Sequence, residues 1–486
     1  MKAITRDQIE NWAQATVVQP KKNTTPIQSW MGIGTDTRKD LSQQLFWALK
    51  GESFDGHDFL EAAVKAGATG VVVNRDLSEA EVEKLGVAVV KVDDTLRALQ
   101  RLAQSVRRQF KGKVIGITGS NGKTSTKEFT ATILKTAYKV HWNPGSFNNH
   151  FGLPFNILAA PLDADALIAE MGMNHAGELT ELCEIAEPDI VLCTMVGSAH
   201  IEHFGSAEKI AAAKEEIYLA APKGAMRIFN LDNPWTEKMF VSATEQKLKG
   251  RITGPIMCFS NQESKKDNEG VSVVLFSAGT SSQGLRVKGR IGDVEKDVQT
   301  SLWGDHNLVN LAAAAAASLA VGMSAELIWR GLSLCKPHWG RMHSVKSKSG
   351  SAILFDGYNA NPESMRAMLE SLRQLPQEGQ RYAVLAEMKE LGEAAYDAHF
   401  KLGEEVGRAG FQGVWFFGPS FAAFEAGIKS AKFDKNLIIS DTYKEELASK
   451  MASMLNPKDL VVVKGSRGMK TERFVLALDP VDFTAK

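Results

Sequence analysis

The sequence has no excess of charge of either sign. Its 57 lysines and arginines meet 57 aspartates and glutamates, for a formal net charge of +0. A balanced chain carries no broad basic field, so nucleic acid is not an expected partner. Cysteine is scarce: Cys183, Cys193, Cys258 and Cys335 are scattered and lack metal-ligand spacing. That argues against a disulfide framework or a zinc site and fits a reducing compartment. No apolar run approaches membrane-spanning length. The nearest, "LAAAAAASLAVGM" at 311–323, is short and alanine-rich and reads as a tightly packed core helix. The opening "MKAITRDQIENWAQ" lacks the apolar core of a secretory leader. Repeats and low-complexity tracts are also missing. A cytoplasmic protein with no membrane insertion is expected.

What is present is ordinary globular composition, 44% hydrophobic and 23% charged over 486 residues. That length suggests about three domains at roughly 150 residues each. The pattern divides accordingly into 1–111, 112–332 and 333–486. In the first unit "QLFWAL", "ATGVVV" and "VAVVKV" read as strands, and "LRALQRLAQSVRRQF" as a helix running into the polar link "KGK". The second unit alternates apolar strands ("VIGIT", "ALIAEMG", "DIVLCTMV", "MRIFNLD") with helices, the pattern of a parallel α/β sheet. Residues 270–303 break that rhythm and predict inserted antiparallel hairpins. The third unit, with "AILFDGY", "RYAVLAEM", "FQGVWFFG" and "LVVVKGS", is again α/β. Ligands of such sheets sit at the carboxyl ends of the strands.

One of those ends is distinctive. In "VIGITGSNGKTSTKE" (114–128) a short buried strand leads through glycines into a helix. Such a turn exposes backbone N–H groups beside a positive helix end, a place for phosphate. Lys123 adds a point charge and Thr124 a hydroxyl able to ligate Mg²⁺. Gly116 lies six residues before Gly122, one more than the usual spacing, so Gly119-Ser120-Asn121-Gly122-Lys123-Thr124 reads as a compact variant of the loop. Glu170 ends another strand, where a carboxylate can hold Mg²⁺ or act as a cap. His200 follows the next strand. Lys214, in "IAAAKEEI", reads by residue type as a solvated helical lysine paired with Glu215 or Glu216. Asp356 in "FDGYNANPESM" and Lys464-Gly465-Ser466-Arg467 in "VVVKGSRGM" repeat the strand-then-turn device, which suits carboxylate or phosphate. Several such turns across two units suggest a shared cleft.

Taken in order, "GITGSNGKTSTKE", "EMGMNHAGE", "AHIEHFGSAEKIAAAKEEI", "GDHNLVNLAAAAA", "GRM", "DGYNANPESM" and "VKGSRGM" resemble the Mur ligase family over nearly the whole chain. "TDTR" (35–38), "ALKGESFDGHDF" (48–59) and "YNANP" resemble the branch that joins D-alanyl-D-alanine to UDP-N-acetylmuramoyl-tripeptide. The resemblance implies a three-domain α/β protein: a small N-terminal α/β domain, a central P-loop parallel sheet with inserted antiparallel hairpins, and a C-terminal Rossmann-like domain. It implies an ATP-dependent amide ligase working through an acyl phosphate. A monomer is expected.

 By the same resemblance, the expected site residues fall into groups. Gly119, Ser120, Asn121, Gly122, Lys123, Thr124 and Ser125 would hold the ATP phosphates, Asn307 would face adenine, and Arg341 and Asp356 would contact ribose and phosphates. Thr124 and Glu170 would hold one Mg²⁺. His200 would hold a second near the acyl phosphate, together with Lys214 if carbamylated. Thr35, Asp36, Thr37, Arg38, Asp55 and His57 would bind the UDP part of the sugar substrate. Asn148 and Asn149 in "SFNNHFGLP" match a further substrate segment, and Tyr358, Asn359, Lys464, Ser466 and Arg467 would lie near the incoming dipeptide. Ser125 stands where close relatives often carry threonine, and it keeps the hydroxyl.

Other readings compete. The branch that adds the third peptide residue carries "DNPR", and the only similar string here is "LDNPW" (231–235), in the central unit. Folylpolyglutamate synthases share the phosphate loop but leave "TDTR" and "FDGH" unexplained. A P-loop kinase or nucleotide-driven switch leaves the third unit unexplained.

Overall fold

The computed structural model describes residues 3–485 apart from 23–26, 52–53, 144, 146, 200, 282 and 376–377. The described residues form three main sheets, each from its own stretch of chain. The first has five strands, ordered Thr16–Val18, Ala88–Lys91, Gly70–Val73, Gln44–Trp47 and Gly32–Gly34. All neighbours in it are parallel except the Thr16–Val18 edge.

The central sheet has nine strands. Seven run parallel, in the order Val271–Ser281, Ile256–Ser260, Met226–Asn230, Ile190–Cys193, Lys113–Thr118, Ala166–Glu170 and Val140–Trp142. Gly284–Ile291 and Val294–Gln299 extend it as antiparallel strands. The expected hairpins are therefore an extension of the sheet edge. Val271–Ser281, read from its alternation as antiparallel, pairs in parallel with Ile256–Ser260 on one side. The strand lies between this parallel neighbour and the antiparallel Gly284–Ile291, so alternation, which reports a solvated face, does not report strand direction.

Period-2 geometry sends successive side chains of the inner strands to opposite faces. Val114, Leu167 and Val191 enter one core with the helices Thr95–Gln109, Glu178–Ala186 and Ala207–Ala220. Ile115, Ile168 and Leu192 enter another, with the helices Lys123–Leu134 and His306–Val321. In the latter helix Ala312 to Ala317 are fully buried, so its backbone packs closely on Lys123–Leu134. The third sheet has seven strands, with five parallel (Asn436–Ser440, Gly413–Phe417, Arg381–Ala386, Leu460–Lys464, Ala352–Asp356) and an antiparallel edge of His343–Ser347 and Pro480–Val481.

The helix Ala207–Ala220 ends on a buried cation. Arg227, 1% exposed, donates from Nε to Tyr218 O at 2.9 Å, and from its other nitrogens to Ala225 O at 2.8 Å and Ala221 O at 3.1 Å. It thus satisfies carbonyls that a helix end leaves without partners. Arg227→Met keeps the bulk and removes the donors. It is expected to destabilise the fold by about 3 kcal/mol, read as a lower urea midpoint of unfolding. An unchanged midpoint would show that water serves those carbonyls equally well.

Candidate active site

The strand Lys113–Thr118 lies between Ala166–Glu170 and Ile190–Cys193, with Ile117 opposite Glu170 and Thr118 opposite Cys193. That register brings three strand ends together. Gly119 (φ +147°) and Gly122 (φ +84°) adopt backbone conformations that favour glycine. A Cβ on Gly119 would meet Thr194 Oγ1, and one on Gly122 would meet Asn310 Oδ1. The loop is pinned from the next strand by Ser120 N donating to Met195 O at 2.8 Å and Thr194 Oγ1 donating to Asn121 O at 2.5 Å. Lys123 opens the helix and turns back, its Nζ donating to Gly119 O at 2.6 Å. Burial lowers the Lys123 pKa from the ordinary lysine value, and the Glu170 carboxylate opposes that shift.

Glu170 is 2% exposed. Its Oε1 accepts from Thr124 Oγ1 at 3.3 Å and from Asn148 Nδ2 at 3.0 Å. Its Oε2 has no hydrogen-bond partner among the described residues and lies 3.4 Å from Lys127 Nζ. A hydroxyl and a carboxylate, both oxygen donors, with one buried carboxylate oxygen unsatisfied, fit a hard cation such as Mg²⁺, which takes few protein ligands and completes its shell with phosphate and water. Among the described residues no three His, Cys, Asp or Glu side chains group as a metal cluster. His200 lies outside the described residues.

Three pockets meet here. A middle compartment of about 230 Å³ holds Ser120, Asn121, Gly122, Lys123, Thr124, Asn148, Asn149, Glu170, Arg341, Tyr358 and Asn359. On one side it shares Asn121, Gly122 and Arg341 with a pocket of about 390 Å³ lined also by Ser125, Asn307, Asp356 and Lys464. On the other it shares Asn149 with a pocket of about 820 Å³ walled by Thr35, Asp36, Thr37, Arg38 and by aromatic rings including Phe54 and Phe147.

Not every expected residue faces these spaces. Asp55 caps a short turn through His57 N, and its Oδ1 meets His57 Nδ1 at 2.6 Å. Gly56 lines the large pocket, whereas Asp55 and His57 do not. Asp36 forms an exposed pair with Arg38 at 2.8 Å, which holds its carboxyl down at about 2. Lys464 is buried against Asp356 Oδ2 at 2.5 Å and donates to Asn359 O at 3.0 Å. Ser466 accepts from Lys389 N at 2.9 Å, and Arg467 pairs with Glu472 at 2.6 Å. Arg341 stacks on Tyr358 at 4.3 Å, and its buried Nε has no hydrogen-bond partner among the described residues, a donor left for an anion. Lys214 corrects the solvated reading. It is 1% exposed, and burial together with Lys123 lowers its pKa to about 7. Glu216, its expected partner, instead accepts from Gly177 N at 2.7 Å.

Sequence reasoning missed Lys127, and it missed the contacts that join the second and third units. Asn121 and Asn361 exchange side-chain hydrogen bonds at 2.9 and 3.4 Å. Glu363 accepts from Ser198 N at 3.0 Å and from Ser198 Oγ at 2.8 Å. The signal for the last two was the helix start Asn361-Pro362-Glu363, an N-cap followed by proline.

Family models match along the chain: the Mur ligase family, catalytic domain at 30–107, the Mur ligase middle domain at 117–318, and the Mur ligase, glutamate ligase domain at 340–467. The UDP-N-acetylmuramoyl-tripeptide–D-alanyl-D-alanine ligase of Bacillus subtilis is 35% identical over 467 residues, covering 96% of each chain. The chain belongs to the Mur ligase family. Among solved structures, this Mur ligase is similar to MurF from Acinetobacter baumannii, with a TM-score of 0.84 and 28% identity over 98% of this chain and 99% of that one. It is also similar to the MurF ligase of Thermotoga maritima solved in complex with ADP, with a TM-score of 0.74 and 29% identity over 92% and 96% of the two chains.

In this Mur ligase Lys123 faces the middle compartment rather than a core, so loss of its charge is expected to leave the fold intact. Lys123→Ala is expected to lower turnover on the order of a thousandfold, several kcal/mol in the transition state, with an unchanged circular dichroism spectrum. Near-normal turnover would remove the loop from the phosphate site.

Proposed function

We propose that the chain is an ATP-dependent ligase that joins D-alanyl-D-alanine to UDP-N-acetylmuramoyl-tripeptide, a step in peptidoglycan precursor synthesis. The observation that carries this reading is the run of three joined pockets, with Lys123 and Glu170 in the middle one. A nucleotide and a large sugar substrate can enter from opposite sides and meet there. The Bacillus relative, similar over 96% of both chains, supports the choice of substrates. The ADP complex of the Thermotoga relative supports ATP as the phosphoryl donor.

In the first step a carboxylate oxygen of the tripeptide attacks the γ-phosphorus, the bond to the bridging oxygen of ADP breaks, and an acyl phosphate forms. In the second the amine of D-alanyl-D-alanine attacks the acyl carbon, inorganic phosphate leaves, and the nitrogen loses its proton. Two anions approach in the first step, so cations and oriented donors must offset their repulsion. The loop amides, Lys123 and Arg341 would supply them. Thr124 and Glu170 would hold Mg²⁺, which when bound neutralises phosphate charge. Asn307 would face adenine, with Asp356 toward the ribose. Thr35 to Arg38 would take the UDP group, and the turn of Ser466 and Arg467 would lie near the dipeptide. The division at 1–111, 112–332 and 333–486 separates a UDP-sugar-binding unit, an ATP-binding unit and a ligase unit, with the substrates meeting where the units join. We also read the protein as a cytoplasmic monomer. Its free, buried cysteines are in keeping with a reducing compartment.

Purified protein is expected to release ADP only when the UDP-linked tripeptide, D-alanyl-D-alanine and Mg²⁺ are all present. Equal release with neither organic substrate would point to a nucleotide-driven switch.

Lys214 would work with His200 at a second Mg²⁺. Carbamylation adds CO₂ to a neutral amine, and burial that lowers the amine's pKa to about 7 favours the neutral form. Lys214→Ala is then expected to be nearly inactive and partly restored by formate or acetate, which replace the missing anion. Lys123→Ala, lacking a cation, is expected to gain nothing from either acid. Full activity of Lys214→Ala without additive would return Lys214 to a packing role.

A further inference from the structure

One buried cation has no part in the mechanism above. Lys127 lies one turn beyond Lys123 on the same helix and is fully buried. Its Nζ donates to Asn143 O at 2.9 Å and Gly145 O at 2.6 Å, and lies 3.4 Å from both Glu170 Oε2 and Glu128 Oε1. Glu128 in turn accepts from Trp142 Nε1 at 3.0 Å. A lysine inside a protein is costly unless its donors are met and its charge is offset, and here the start of a loop accepts its hydrogen bonds while the carboxylate beside the phosphate site offsets its charge.

The loop leads to the sugar pocket. Phe147 and Asn149 line that pocket, and Asn149 also lines the middle compartment. Between them, Asn148 donates from Nδ2 to Glu170 Oε1, and its carbonyl accepts from Gly172 N at 2.8 Å. Glu170 is therefore gripped from both sides: Lys127 stands at one oxygen, and Asn148 and Thr124 at the other. The same two residues, Lys127 and Asn148, fix the segment that carries the pocket wall.

We infer that Lys127 and Asn148 form a clamp that positions the sugar-pocket wall and the Glu170 carboxylate together, so that the substrate carboxylate and the phosphate-binding groups are set by one piece of structure. Lys127 touches neither nucleotide nor sugar pocket and acts through Glu170 and the loop. This inference rests on the functional reading above for the identity of the sugar substrate.

The test uses Lys127→Met and Asn148→Ala in the full chain, with folding checked by circular dichroism. Calorimetry in EDTA measures UDP-N-acetylmuramoyl-tripeptide binding, and electron paramagnetic resonance measures Mn²⁺ binding in the presence of ADP. Each variant is expected to weaken both by about tenfold or more, the usual scale for a residue that orients a metal ligand, while ADP binding in EDTA stays within about threefold of wild type. A folded Lys127→Met that binds both as wild type does, or loses one without the other, would overturn the clamp. If Lys127→Met does not fold, Asn148→Ala decides by the same two measurements. Failure of the wild-type protein to bind the tripeptide would overturn the functional reading, and the clamp with it. Normal wild-type binding with unaffected variants would overturn the clamp alone.

Discussion

The centre of the molecule depends on keeping the charge of one buried carboxylate satisfied. Glu170 ends a strand in the sheet interior, where an unpaired charge is strongly unfavourable. Lys127 and Thr124 meet it from one helix and Asn148 from a loop, so with its own strand three segments of the central unit converge on it. Each of those segments also contributes to the cleft: the helix that opens with Lys123, the loop that walls the sugar pocket, and the strand end beside the phosphate loop. The electrostatics of one residue thus set the mutual position of parts that are far apart in sequence. This is a buried polar network with high stakes, since losing one member leaves the others uncompensated.

A second constraint acts across the units. The third unit reaches the phosphate loop through the paired amides of Asn121 and Asn361, and reaches the following loop through Glu363 and Ser198. Two of these residues sit at the start of the helix Pro362–Gln374, so its orientation is tied to the loop that would hold phosphate. Arg341, stacked on Tyr358, lines both the nucleotide side and the middle compartment. The nucleotide side is therefore complete only with the third unit in place, as expected for a site at a domain interface.

The parts that could be read from sequence were those governed by local rules. Continuous apolar runs gave the inner strands because both faces of the central sheet are buried. The glycines at 119 and 122 announced the loop because few other residues tolerate that backbone. The helix Pro234–Leu248 went unread although Asn233 caps it and proline follows, because "LDNPW" was weighed only as a signature. The burial of Lys214 and Lys127 left no local mark. Both sit in helices with ordinary composition, and what surrounds them is brought in by strands and loops distant in the chain. Asp55 and His57 were assigned to the UDP group by resemblance alone, and the bond their side chains make to each other depends on a turn geometry that residue type does not announce.

The row of alanines from 312 to 317 has a consequence for inheritance. These side chains set the spacing between their own helix and the one that begins at Lys123, and alanine is the smallest side chain that still favours a helix. Any larger residue there must push the neighbouring helix outward, since a packed interior has no slack. The displaced helix carries the phosphate loop at its first turn. Lesions that impair the chemistry can therefore arise at positions that never meet a substrate. A screen for heat-sensitive alleles would find them in this plain stretch as readily as in the cleft.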